Sequence, residues 1–255
     1  MSGAMGAAGR ASNRSVLLVV AAPSEARAVL RGFDADGASG EGDWVLHPLA
    51  PGFELLVTGV GKSNAAGAVG RLLDPARHGW VVNLGVCGAL PAGGGTPLRF
   101  ERSICDVVLA DGSVFADEGV EGERFVTTSE LGFPPTPLST DEAFRPAPDL
   151  RARLGPLATV VAPIATVSTC AGTDALALRI AARTGAAAEA MEGAAIALVC
   201  HRLAVAFAEL RVVSNTTGSR TDQRWDLPGS LARLSDVARA VRTALALPSG
   251  TPGEA

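Results

Sequence analysis

The strongest constraint on this chain is a set of short, mostly apolar runs of strand length that do not alternate with polar residues. They read VLLVVAA at 16–22, WVVNL at 80–84, DVVLA at 106–110, VVAPIATV at 160–167 and LRVV at 210–213. A strand with one wet face alternates, whereas a run without alternation belongs to a strand buried on both faces. Helical stretches lie between the runs. One follows Pro23-Ser24, with Ala26, Val29 and Leu30 as its apolar side and Ser24 as its expected cap. Others end near Leu73, span 174–183, open at Met191-Glu192-Gly193 and close the chain at 231–245. The runs at 44–49 and 53–58 read as a hairpin around Ala50-Pro51-Gly52. Strands alternating with helices predict a single-domain, three-layer α/β sandwich with a mixed, mainly parallel central sheet.

At 255 residues the chain is long enough for one domain with a core of its own. That domain is expected over residues 15–247, with a small, polar, disordered segment at 1–14 and a loose tail at 248–255. A formal net charge of −4 argues against a nucleic-acid or membrane-surface partner. Cys87, Cys105, Cys170 and Cys200 are spread without C-x-x-C pairing and read as reduced thiols in a cytoplasmic protein. His47, His78 and His201 are as scattered, so no metal is expected, and no organic cofactor is implied. Arg10 and Arg14 ahead of the first apolar run mimic a secretory signal, but the run is short and passes into a charged helix. No stretch is long enough to span a bilayer.

Polar residues gather where these elements meet. Glu25 lies in the first turn of the first helix, where an acid complements the helix dipole. Gly59-Val60-Gly61-Lys62-Ser63 suggests a phosphate loop, but position 56 is Leu and Asn64 stands where a dinucleotide loop needs its third glycine. It reads instead as a tight strand-to-helix turn whose amides can hold a small polar group. Gly85-Val86-Cys87-Gly88-Ala89, the segment 168–172, Met191-Glu192 and Ser214-Asn215 are further junctions. Cys87 has no evident histidine partner and suits a small buried thiol. Residues 111–137 form a long acidic, glycine-rich segment with Phe115, Phe125 and Phe133, expected to be an irregular functional loop. In open α/β sheets, ligands bind beyond the carboxyl ends of the strands, so these junctions mark one candidate site.

Their chemistry suits a purine nucleoside. Glu192 can accept hydrogen bonds from two vicinal ribose hydroxyls, with Met191 beneath the sugar. Cleaving an N-glycosidic bond needs help for an oxocarbenium-like sugar, a nucleophile at C1′ and a stabilised leaving base. Glu25 is the carboxylate that can activate water. Asn215 can donate to O6 of a 6-oxopurine while its oxygen accepts the N7 proton.

Over roughly residues 16–245 the chain resembles the nucleoside phosphorylase/nucleosidase superfamily, of the methylthioadenosine/S-adenosylhomocysteine nucleosidase type. The likeness is carried by VLLVVAAPSEA with Glu25, G-V-G-K at 59–62, N-L-G-V-C-G at 83–88 and DVVLADGSVFADEG at 106–119. Above all it is carried by E-A-M-E-G-A-A-I-A at 189–197 followed by R-V-V-S-N at 211–215. The resemblance implies a nucleoside phosphorylase-like fold and a homodimer or higher homo-oligomer. It makes Glu25 the residue that positions and activates water, and Met191 and Glu192 the ribose contacts. Val86, Cys87 and Gly88 would line the sugar and base pocket by their backbone. Ser168, Thr169 and Cys170 would stand beside the base. Phe115 falls where the family places an aromatic near the 5′ substituent, in a loop that often meets a partner subunit.

One departure narrows the substrate. Adenine-cleaving members have Asp after the serine of the last strand, where this chain has Asn215 next to Ser214. An aspartate would repel O6 of a 6-oxopurine, and Asn does not. S-N-T-T-G-S-R at 214–220 with R-W-D-L at 224–227 resembles the futalosine-cleaving branch, which releases hypoxanthine in the alternative menaquinone pathway. Arg220 and Arg224 are then candidates for the carboxylate at the far end of such a substrate. Asp106, Asp111 and Asp117 match family positions with a loop-ordering role. Other purine nucleosidases, an inosine or guanosine phosphorylase, and a nucleoside sensor without turnover remain as alternatives. Ala21-Ala22-Pro23-Ser24 gives a phosphate one hydroxyl only, and Glu25 would repel it.

Overall fold

A computed structural model describes residues 15–35, 42–91, 103–136 and 143–246. The expectations for 1–14 and for the tail at 248–255 lie outside the described residues, as does the end of the long segment at Pro137. β1 (Ser15–Val20) runs into α1 (Pro23–Gly32). The hairpin is β2 (Leu46–Ala50) and β3 (Phe53–Val57), and α2 (Lys62–Leu72) leads to β4 (His78–Ala89). β5 (Val107–Phe115) precedes a small ribbon, β6 (Gly119–Glu121) and β7 (Phe125–Thr127). Then come β8 (Ala143–Phe144), α3 (Pro148–Leu154), β9 (Val160–Thr166), α4 (Asp174–Thr184), β10 (Ala188–Ala190), α5 (Gly193–Arg202), β11 (Ala206–Thr216) and α6 (Leu227–Leu245).

The main sheet has nine strands in the order β10-β9-β5-β11-β4-β1-β3-β2, with β8 added beside β5. The pairs β1–β3, β1–β4, β4–β11, β5–β9 and β9–β10 are parallel, and the remaining pairs in this sheet are antiparallel. The non-alternating runs behave as their composition requires. In β1, Val16, Leu18 and Val20 pack toward α1, α3 and α6, while Leu17 and Val19 pack toward α2 and α5. Successive side chains on a strand point to opposite faces, so a strand clothed on both sides must be apolar throughout.

Beyond the sandwich, β10 also pairs with β4, Glu189 opposite Gly88 and Ala188 opposite Ala89. The strands β4, β11, β5, β9 and β10 thereby close into a ring. Its interior is a cluster of small side chains: Cys87, Ala89, Val108, Ala110, Ile164, Ala188, Ala190 and Val213. Only residues of this size let so few strands close with a filled interior.

Several local expectations are corrected. Gly85-Val86-Cys87-Gly88-Ala89 is not a junction beyond the strand: it continues β4, paired with β11 as far as Ala89. Strand pairing overrides the weak strand preference of glycine. β5 likewise continues past Ala110 to Phe115 through an irregularity against β9 between Ala110 and Ser113. The segment after it contains the β6–β7 ribbon and is not wholly irregular. α6 begins at Leu227, four residues before the expected start, because the Asp226 side chain accepts from the Gly229 N–H at 2.8 Å and caps it. α3 was not expected; it is a single short helix opened by Pro148.

Candidate active site

The site begins where β1 hands over to α1. Ser24 is not the cap; the N-cap position is Ala22, whose side chain can accept nothing, and Pro23 occupies the first turn. Glu25 fills the role from inside the helix. Its Oε2 accepts from the Ala21 and Ala22 N–H groups, each at 3.0 Å, and its Oε1 accepts from the Val86 N–H at 2.8 Å. The free amides at a helix start are an anion site, and here the chain's own carboxylate takes it. Glu25 is 4% exposed. Burial raises its pKa above the ordinary carboxylate value, opposed by the Arg211 charge and the Val86 N–H.

Arg211 is the residue that draws the cluster together. It is 1% exposed in the middle of β11. Its Nε donates to Glu209 Oε1 at 2.9 Å, its Nη2 to Glu192 Oε2 at 3.1 Å and its Nη1 to the Val86 carbonyl at 3.4 Å. Burial disfavours its charge, but Glu209, Glu192 and Glu25 more than offset this and keep it protonated. The approach is so tight that a side chain at Gly85 cannot be placed: a Cβ would lie 2.5 Å from Glu25 Oε1 and 2.6 Å from Arg211 Nη1.

Glu192 is the N-cap residue of α5, one position before the helix and not in its first turn. Its Oε1 accepts from the Gly61 N–H at 3.0 Å. The polar group held by the Gly59–Ser63 turn is therefore this carboxylate. Gly61 has φ +98°, a conformation that favours glycine. Each Glu192 oxygen has one partner here, which leaves lone pairs for hydroxyl donors. Gly193 is required for a different reason: a Cβ there would collide with the Glu209 carboxylate, which itself accepts from Ser113 Oγ at 2.5 Å.

Ser214 and Asn215 lie within β11, at a register shift against β4 that sets Asn215 opposite Gly88. The Ser214 hydroxyl lies 3.2 Å from the Cys87 carbonyl and 2.9 Å from Asn215 Oδ1. Asn215 Nδ2 donates to the Thr216 carbonyl at 3.0 Å, which leaves one amide proton and one oxygen lone pair for a ligand. Val86 is half-buried and contributes its backbone to Glu25 and Arg211. The Cys87 side chain belongs to the interior of the ring, which removes it from the pocket wall. Met191 is half-buried and packs against the apolar cluster that includes Leu90, Ala116, Val167 and Ala171.

Beside this, Thr169 and Cys170 are exposed on the segment after β9. Partial burial of the Cys170 thiol, then the Glu189 and Glu192 carboxylates, push its pKa up to about 11, so it is a poor nucleophile near neutrality. Asp117 orders this corner as expected: it accepts from the Ser168 N–H at 2.6 Å and pairs with Lys62, whose Nζ also lies 5.3 Å from the centre of the Phe115 ring. Phe115 packs edge-on against Phe144 at 6.0 Å, as part of the core under α2 and α5. Arg220 is exposed, with its chain 3.6 Å from the position a Gly172 Cβ would occupy, and it stands beside Cys170. Arg224 is exposed, and its backbone pairs with Thr216.

Thus Glu25, Glu192 and Val86 converge on Arg211, and Gly88, Asn215 and the 168–172 segment form the adjoining wall. Arg211 and Glu209 went unnoticed in the sequence. The available signal was two opposite charges in the run 206–213, AFAELRVV, because a buried strand excludes ions unless they are paired. Among the described residues no helix is long and apolar enough to cross a membrane.

The chain is similar to several known proteins. The chain is 34% identical over 230 residues to the futalosine hydrolase of Acidothermus cellulolyticus, covering 89% of this chain and 90% of that one. It is 36% identical over 204 residues to the futalosine hydrolase of Thermus thermophilus, covering 78% and 84%. A solved 5′-methylthioadenosine/S-adenosylhomocysteine nucleosidase from Colwellia psychrerythraea, bound to adenine, shares the fold with TM-score 0.70 at 21% identity, covering 91% and 94%. A futalosine hydrolase mutant of Helicobacter pylori gives TM-score 0.69 at 19% identity, covering 91% and 98%. A family model of the phosphorylase superfamily matches residues 54–247. With that match and relatives this similar along most of its length, the chain belongs to the phosphorylase superfamily.

Proposed function

We propose that this protein is an N-glycosidase that hydrolyses futalosine and releases hypoxanthine, a step of menaquinone biosynthesis. The identity to futalosine hydrolases supports the substrate. One observation carries the choice of water over phosphate: the Ala21 and Ala22 amides at the start of α1, which could bind a phosphate, are spent on Glu25. A second anion there would meet a carboxylate.

In this reading Glu25 takes a proton from water as its oxygen attacks C1′. The C1′–N9 bond breaks with its electron pair leaving on the base, which takes a proton at N7 from solvent, and Glu25 returns the water's proton to solvent afterwards. Glu192 accepts from the ribose hydroxyls above the Met191 side chain, and Arg211 fixes Glu192 and balances the buried negative charge. Asn215 donates to O6 and accepts from N7–H, so it stabilises the departing hypoxanthine. A pKa raised by burial suits Glu25 as a proton acceptor near neutrality.

Arg220 supplies the cation for the distal carboxylate, on its position beside Cys170. The protein works in the cytoplasm, where Cys87, Cys105, Cys170 and Cys200 stay reduced thiols outside any disulfide. It forms a homo-oligomer, with exposed Val120 and Phe133 offering apolar surface after β5.

The test is incubation with futalosine, its 6-amino analogue, inosine and methylthioadenosine, with and without phosphate, followed by separation of the released base. Hypoxanthine from futalosine, independent of phosphate, is expected. Adenine release from the 6-amino analogue or methylthioadenosine instead, or a requirement for phosphate, would overturn the proposal.

A further inference from the structure

Glu189 has no part in the cluster around Arg211, yet it is buried at 5% exposure. It lies on β10 directly opposite Gly88 of β4, and Gly88 is also the partner of Asn215 on β11. Three neighbouring strands therefore present Glu189, Gly88 and Asn215 in one row. Alternation turns Ala188 and Ala190 into the ring interior, so Glu189 points the other way, as Gly88 does relative to Cys87 and Ala89. A Cβ placed on Gly88 would lie 2.8 Å from Thr217 Cγ2, 3.2 Å from Asn215 Nδ2 and 3.6 Å from Glu189 Cγ. The Asn215 and Glu189 side chains are thus neighbours over Gly88, with the Thr217 methyl packed against the same backbone.

Glu189 Oε1 accepts from the Ala171 N–H at 2.9 Å. Its Oε2 is buried and accepts no hydrogen bond among the described residues. A buried carboxylate oxygen without a donor costs free energy that a ligand donor would recover. The donor that distinguishes a 6-oxopurine from a 6-aminopurine is the lactam N1–H: hypoxanthine presents a proton at N1, whereas adenine presents a lone pair there.

Taking hypoxanthine release as proposed above, we infer that Glu189 is a specificity-determining residue that accepts the N1–H of the leaving base, completing a set in which Asn215 reads O6 and N7. Adenine would set its N1 lone pair against the ionised Glu189 carboxylate, so the discrimination belongs to pH above about 7, where the carboxyl has lost its proton. Burial, partly offset by the Ala171 N–H, pushes the Glu189 pKa up to about 7, consistent with a carboxylate that lacks its full set of donors until the base arrives.

Glu189→Gln tests this because a glutamine has one oxygen where glutamate has two. If that oxygen keeps the Ala171 N–H, the amide donor faces N1, which repels hypoxanthine and suits adenine. The kcat/KM ratio for futalosine over its 6-amino analogue should fall about 10- to 100-fold. A merely structural Glu189 would lower both substrates alike, and an unmoved ratio would overturn the inference. A second measurement does not depend on the variant folding. Wild-type protein should bind hypoxanthine at least about tenfold more tightly than 1-methylhypoxanthine, which has no N1–H. Equal affinities would overturn the inference alone. Failure of the wild type to release hypoxanthine from futalosine would overturn the substrate reading beneath it.

Discussion

Arg211 and Glu192 form a buried ion pair, Nη2 to Oε2 at 3.1 Å, between side chains 1% and 5% exposed. Neither could occupy its place alone. A charge taken out of water is tolerated only when paired and hydrogen-bonded, and Arg211 meets this with Glu192, Glu209 and the Val86 carbonyl. Its planar fork lets one side chain fix the Glu192 carboxylate and the strand that carries Asn215.

Arg211→Lys keeps the charge and loses the fork. It should destabilise the fold by about 3 kcal/mol, because an ammonium cannot serve Glu209, Glu192 and Val86 from one point. The activity remaining at a temperature where the variant is folded should be reduced at least about tenfold in kcat/KM. Urea unfolding and a futalosine assay measure the two effects separately. A variant as stable as wild type would show that the guanidinium geometry is not needed.

Glu25→Gln should lower kcat by about 100-fold or more, the usual contribution of a general base, with a smaller change in KM. The wild-type profile of kcat/KM against pH should fall on the acid side, at a pH above the ordinary carboxylate value, since burial raises Glu25. That limb should vanish in the variant. An unchanged acid limb would assign the titration to another group.

Asn215→Asp should move preference away from futalosine and toward its 6-amino analogue, as a carboxylate accepts from an amino group and repels O6. A shift of about 10- to 100-fold in the ratio of kcat/KM values is expected, read from competing substrates in one reaction. Hypoxanthine release at the wild-type rate would remove Asn215 from base recognition.

Stability should depend on pH through Glu189. Its carboxyl is raised from 4.5 to about 7 in the folded protein. The native state therefore holds a proton that the unfolded chain has released, and stability is full below about 4.5 and declines as pH rises toward 7. The loss is at most about 3 kcal/mol, and the raised Glu25 pKa adds to it with the same sign. Urea midpoints measured from pH 5 to 8 should fall in wild type and fall less in Glu189→Gln. Parallel curves would contradict the shift.

Much of the fold was legible because burial on both faces leaves a direct mark on composition. VLLVVAA at 16–22 could only be an interior strand, and its neighbours in the sheet follow the same rule. Boundaries were less legible where pairing overrides local preference. The glycines of 85–88 look like the junction after a strand in sequence, and two flanking strands make them part of the strand itself. The serine at 24 looks like a cap, and a carboxylate one residue later takes the amides instead.

For the site, residue type and place pointed to Glu192, Ser214 and Asn215 at the ends of apolar elements, and the nucleoside chemistry then brought in Met191 and Glu25, which by itself reads as an acid on the helix dipole. Sequence could not show that Glu192 is held by the Gly61 N–H, or that one arginine inside β11 joins carboxylates from α1 and the cap of α5. It also could not show that Glu189 and Asn215 share Gly88, because that juxtaposition exists only once β10 pairs with the end of β4 and closes the ring. Local composition determined which segments are buried strands, since desolvation acts on each residue where it stands. Which charges meet was decided by the register between strands distant in the chain, since the pairing that makes a buried ion tolerable is a property of two positions at once.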